Sequence, residues 1–115
     1  MNPVYTVQFT ESAIISLEIC KNYKTKWLQN ASAAQAAMQA VAISAASDLE
    51  SRPLSFQECF TARMNGLNDV RERNSADGYR TLFTVDTTRN IVYVMLVLHQ
   101  QQDIVLALTT HSLIR

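Results

Sequence analysis

The segment from Gly78 to Asp103, GYRTLFTVDTTRNIVYVMLVLHQQQD, limits the possible folds of this chain more than any other. Tyr79 to Asp86 alternates with period two. Tyr79, Thr81, Phe83 and Val85 fall on one face, and Arg80, Leu82, Thr84 and Asp86 on the other. Side chains of a strand point alternately to its two sides, so this is the pattern of a strand. Thr87-Thr88-Arg89-Asn90 reads as a hairpin turn, and Ile91 to Leu98 is apolar on both faces, which suits a central strand. The hairpin ends on His99, with Asp103 four residues later.

The segments before the hairpin supply its partners. Val4, Tyr5, Val7 and Phe9, interleaved with Thr6 and Gln8, read as an opening strand. Thr10 can cap a following helix, with Glu11 favourable in its first turn. That helix, near 11–29, sets Ala13, Ile14, Leu17, Cys20 and Trp27 against Glu18, Lys21, Lys24 and Lys26. Ser32 and Gln35 form a capping-box pattern for a second helix near 32–50. Its stripe is Met38, Val41, Ala42, Ala45 and Leu49, and its many alanines suit the close approach of an antiparallel helical hairpin. Arg52-Pro53 ends it, because proline disfavours helix in the residue before it.

The next part carries weaker signals. Residues 53–66 show no period, and Leu54, Phe56, Phe60 and Met64 are expected to tuck under the sheet. Leu67 to Arg73 reads as a strand, and Asn74 to Gly78 as a loop. Ile104 to Ile114 is either a further short strand or a docked tail. The order is strand, helical hairpin, then an antiparallel sheet of three or more strands. This predicts an α+β two-layer fold over 1–115, as a single domain.

Charge and cysteines narrow the function. Ten basic residues balance ten acidic ones, so no net field draws in nucleic acid. Cys20 and Cys59 have neither metal-ligand spacing nor a disulfide framework, and are expected to be reduced structural thiols. Glycine-rich phosphate loops, G-x-S-x-G, H-E-x-x-H and C-x-x-C are missing, so no cofactor and no metal is expected. There is no charged n-region followed by an apolar stretch, and Ile91 to Leu98 is too short to span a bilayer. No membrane association and a cytoplasmic location are the expectations.

Three arginines and a histidine carry the chemical interest. Arg80 either holds a phosphate with its planar fork or pairs with Asp69 or Asp86. Arg71 and Arg73 on the neighbouring strand are placed on Arg80's sheet face. There they would form either an anion-binding patch or a solvated face neutralised by Glu72 and Asp69. His99, at a strand end, is either a general acid–base or a hydrogen-bonded structural residue. Asp103 either orients it or caps the chain that follows. Tyr23 and Trp27 are read as core or helix-packing residues, and His111 is given no role.

Residues in three places resemble the bacterial RelE/ParE toxins. The first is the opening strand running into Phe9-Thr10-Glu11-Ser12-Ala13. The second is Gly66-Leu67 with Val70-Arg71. The strongest is Tyr79-Arg80, Leu82 and Val85-Asp86, followed by Val97-Leu98-His99 and Asp103. The resemblance implies a toxin of a type II toxin–antitoxin module, bound and neutralised by a cognate antitoxin as a hetero-oligomer. RelE-like members cut messenger RNA on the ribosome, which would make Arg80 and His99 catalytic and Arg71, Arg73, Tyr79 and Asp103 binding residues. ParE-like members poison DNA gyrase and need no catalytic set. Gln100-Gln101-Gln102 stands where cleaving members often carry an arginine, and the only lysines are Lys21, Lys24 and Lys26. The reading therefore leans to the ParE side and to gyrase. Its alternatives are a ribosome-dependent messenger RNA endonuclease and a non-toxic relative that only binds its antitoxin.

Overall fold

The computed structural model describes residues 4–113. Its elements are β1 (Thr6–Phe9), α1 (Glu11–Leu28), α2 (Ala31–Ser51), a 3-10 turn (Pro53–Ser55) and α3 (Phe60–Met64). They are followed by β2 (Arg71–Asn74), β3 (Tyr79–Asp86), β4 (Ile91–His99) and α4 (Ile104–Thr110). The strands form one mixed sheet in the order β1-β4-β3-β2. β1 runs parallel to β4, and the other pairs are antiparallel. The α+β plan expected from the sequence is the one observed, with the apolar strand β4 at the centre.

Local chemistry sets the helix limits. The Thr10 side chain caps α1 by accepting from Ala13 N, and the helix stops where Gln29 turns left-handed at φ 51°. The cap of α2 is Asn30 rather than Ser32, which lies inside the helix. Asn30 Oδ1 accepts from Ala33 N at 3.0 Å, so the turn that ends α1 also starts α2. Pro53 follows the helix end at Ser51, as its ring dictates.

The helical hairpin covers one sheet face. Ala13, Cys20, Met38, Val41 and Leu49 pack there against Tyr79, Phe83, Val92, Val94 and Val97. A smaller patch of α3 and α4 covers part of the other face, where Cys59, Ala62, Ile104, Ala107 and Leu108 meet Leu82, Leu96 and Leu98. Met95 is an extra residue in β4, since Leu82 pairs with Leu96 but Phe83 pairs with Val94. This bulge puts both Val94 and Val97 on the hairpin side.

Three expectations are corrected here. The strand placed at Leu67 to Arg73 starts only at Arg71, because Leu67 to Val70 makes a turn with Asp69 at φ 67°. Leu54, Phe60 and Met64 stay exposed. The five residues of α3 bury a single small position, Ala62, beside Cys59 just before the helix, which leaves no room on that face for the larger side chains. Of that group only Phe56 joins the core, edge-on to Phe83 at 6.0 Å. Ile104–Thr110 is a helix, which settles the tail reading up to Leu113; Ile114 lies outside the described residues.

One ion pair ties the sheet to α2. Arg73 is buried, its Nε donates to Asp48 Oδ2 at 2.8 Å, and its Nη2 donates to Ser44 Oγ at 3.0 Å. The hydrogen bond from Arg73 holds the Asp48 carboxyl below its ordinary 3.8. This carboxylate therefore adds stability above about pH 4 and loses it as pH falls through its lowered value. Asp48→Asn should lower stability at pH 7 by about 1–2 kcal/mol, less than for a fully buried pair because Asp48 is partly solvated. The gap to wild type should close as the pH is taken down to 2. Urea unfolding followed at both pH values checks this, and an equal loss at both ends would contradict it.

Candidate functional site: a cleft at the end of the central strands

The end of β4 and the start of β3 lie side by side, since Tyr79 pairs with His99. Their rings meet edge to face at 5.5 Å and 88°. Gly78 leads into this corner at φ +89°, a conformation that favours glycine. The C-terminal half of α1 passes over it and leaves a cleft of about 390 Å³, lined by Ile19, Cys20, Tyr23, Tyr79, His99 and Gln102. A second recess of about 290 Å³ continues toward Lys24 and Trp27.

Backbone turns fix the histidine. His99 N donates to Gln102 Oε1 at 2.7 Å, and Gln101 N donates to His99 Nδ1 at 3.3 Å. The second bond makes Nδ1 an acceptor, so the neutral ring carries its proton on Nε2. Lys24 Nζ stands 5.7 Å from the centre of the Tyr79 ring, within cation–π range. Tyr23 and Trp27 lie 6.4 Å apart, ring centre to ring centre. Burial pushes the Cys20 thiol up, and it donates weakly to Val97 O. It is a protonated wall, not a nucleophile. The Cys59 thiol, pushed up by its own burial, lies in the core of the other sheet face. Chemically, the cleft offers an imidazole, a phenol edge, an ammonium and two aromatic faces. These can hold a planar group carrying negative charge, and the imidazole can move a proton.

The structure does not bring the expected site residues together. Arg71 pairs with Phe83 and Arg73 with Thr81, so both project to the hairpin side. Arg80 pairs with Asn74 and projects to the other side. The three-arginine patch on one face is therefore not formed. Each arginine also has its own role. Arg71 Nη1 donates to Phe56 O, and Arg73 holds α2. Arg80 Nε donates to Asn74 Oδ1 at 3.0 Å and lies 3.4 Å from Glu72 Oε2, so its acidic partner is neither Asp69 nor Asp86. Arg80 and His99 occupy opposite faces and share no cleft. Asp103 caps α4 by accepting from Leu106 N at 3.0 Å, which decides between its two readings. Tyr79 does lie at the site, beside His99.

Tyr23, Lys24, Trp27 and Gln102 are cleft residues that sequence reasoning missed. Tyr23 and Trp27, read as packing residues, are 60% and 74% exposed. Their signal was present, since with Ile15 and Ile19 they continue one i, i+4 row that avoids Ala13, Ser16 and Cys20. No metal-holding cluster of three His, Cys, Asp or Glu occurs among the described residues. No helix among them is long and apolar enough to cross a membrane.

This arrangement of an N-terminal strand, an α-helical hairpin and a mixed four-stranded sheet matches the fold of solved RelE/ParE toxins. The RelBE2 toxin–antitoxin complex of Mycobacterium tuberculosis matches with a TM-score of 0.63 and 22% identity, over 87% of this chain and 95% of that one. The chromosomal ParDE toxin–antitoxin system of P. aeruginosa matches with a TM-score of 0.63 and 12% identity, over 84% and 96%. The isolated E. coli RelE toxin matches with a TM-score of 0.50 and 17% identity, over 96% and 99%. All three solved structures belong to the RelE/ParE toxin superfamily, and the chain shares their fold. No family model and no curated protein matches the sequence.

Since Asp103 serves α4 and not His99, Asp103→Ala should cost about 1 kcal/mol of stability. Amide exchange at Leu106 should speed up while the His99 ring-proton shifts, set by the Tyr79 ring, stay in place. A displaced His99 ring signal in that variant would show that the carboxylate does orient the imidazole.

Proposed function

We propose that this chain is the toxin of a type II toxin–antitoxin module, acting in the cytoplasm and held in check by a cognate antitoxin. The observation that carries this reading is the likeness in fold over nearly the whole length of known toxins, 95% and 96% of the chains in two toxin–antitoxin systems. As its target we propose DNA gyrase. Three features of the site favour a binding mechanism over phosphodiester cleavage. Arg80 faces away from His99, Arg71 and Arg73 are engaged in structural bonds, and the loop after His99 offers glutamines. A cleaved phosphate needs cationic groups converging on its developing charge.

The runner-up reading is cleavage of messenger RNA on the ribosome, with His99 moving the proton and Lys24 supplying charge. The open cleft shared by His99, Lys24, Tyr23 and Trp27 favours it. Induced expression tests both. We expect arrested growth, rescue by the neighbouring reading frame with co-purification of its product, inhibited supercoiling by gyrase, and intact messenger RNA. Inhibition of supercoiling should survive His99→Ala. Ribosome-dependent cleavage by wild type that falls about a hundredfold in His99→Ala would establish the runner-up instead. Harmless expression with no co-purifying neighbour would leave neither toxin reading standing.

A further inference from the structure

The outer face of α1 carries a row of large side chains that the chain itself does not cover. Ile15, Ile19, Tyr23 and Trp27 follow one another at i, i+4 spacing and are 44%, 44%, 60% and 74% exposed. Side chains so spaced lie above one another along a helix, so they form one contiguous strip. The helix's own core contacts run through Ala13, Ser16 and Cys20 instead. A contiguous apolar strip of this size on a soluble domain marks a contact surface.

The charges beside the strip identify what fits it. Acidic residues of α1, Glu11 and Glu18, lie in its first half. Lys21, Lys24 and Lys26, the only lysines of the chain, lie in its second half. Glu18 is taken by Lys21 at 2.9 Å, and Lys24 sits over Tyr79. Glu11 and Lys26 are exposed, one at each end of the strip, and form no ion pair among the described residues. They are 15 residues apart, or about 22 Å along the helix. A uniformly acidic or basic partner would match only one half of such a helix. A second copy laid antiparallel matches both.

We propose that α1 is the contact between two copies of this chain, packed antiparallel about a two-fold axis near Ile19. In that arrangement Ile19 meets its own counterpart and Ile15 meets Tyr23 of the second copy. Glu11 meets Lys26 of the second copy, and symmetry makes this contact twice. The helix dipoles also run in opposite directions, which favours the pairing. A groove of about 380 Å³ beside the strip, lined by Ile15, Ile19, Thr110 and His111, makes room for the neighbouring helix. The inference does not rest on the proposed toxin activity, but Ile19 and Tyr23 also line the cleft over His99, so the contact would cover one side of that cleft.

Sedimentation velocity of the purified full chain over a dilution series tests it. The wild type should form a dimer. Ile19→Asp should raise the dimer dissociation constant about thirtyfold or more, as expected for a residue at the centre of an interface. Glu11→Lys and Lys26→Glu should each raise it about fivefold. Because the swapped charges again face each other across the two-fold axis, the double variant should return to within about twofold of wild type. Circular dichroism confirms the fold of each variant, and if Ile19→Asp does not fold the charge-swap set decides alone. A chain that stays monomeric up to about 100 μM, or a double variant no better than the single ones, overturns the proposal.

Discussion

The open edge of β4 is the constraint on which the rest of the structure depends. β1 is four residues long and pairs with β4 only up to Val94. Beyond it, β4 continues for five residues, with its backbone groups on that side lacking a strand. Buried peptide groups require partners. The start of the first helix provides them. Thr10 donates to Val94 O through both its backbone N and its hydroxyl, Ser12 Oγ donates to Met95 O at 2.8 Å, and Val97 N donates to Ser16 Oγ at 2.9 Å. Ser16 in turn donates to Ala13 O. These hydroxyls continue the ladder that β1 abandons, and so lock α1 along the bulged strand. The hairpin core, the cleft over His99 and the exposed strip on α1 all take their positions from that lock.

The long elements were legible because each has one dominant period. β3, β4, the turn at Thr87 to Asn90 and both helices of the hairpin lie where alternation, the Thr10 cap and Pro53 put them. The Asp86 side chain holds that turn by accepting from Thr88 N and Arg89 N. Short elements were not legible. α3 and α4 have five and seven residues, too few to show a helical period, and β2 has four. Phase was the other loss. Alternation says that Arg71 and Arg73 share a face, but not which one. That is set by the Ser75–Gly78 turn, where Ser75 N donates to Tyr79 O and so fixes Asn74 opposite Arg80.

The same loss of phase explains the candidate site. Arg80 and His99 are close in the sheet's register and were paired as catalytic residues under the RelE-like reading, yet adjacent cross-strand positions point to opposite faces. Facing His99 instead are residues of α1 more than 70 positions earlier in the chain. Tertiary packing brings them there, and no local pattern around His99 announces it. Ser16 was equally hidden, a small polar residue inside an apolar stripe that proves to be fully enclosed and doubly bonded.

Arg73 gives the helical hairpin a unique seat. The buried side of α2 is wholly apolar and mixes small and mid-sized side chains, Ala34, Met38, Val41, Ala45 and Leu49. A helix with such a face can slide along a sheet by one turn, about 5.4 Å, and find contacts of nearly the same kind. Ser44 and Asp48 lie one turn apart, and the Arg73 fork grips both at once. Sliding would strip a buried guanidinium of both partners. Dispersion between apolar surfaces sets how firmly α2 is held, and this one arginine sets where along the sheet it stops.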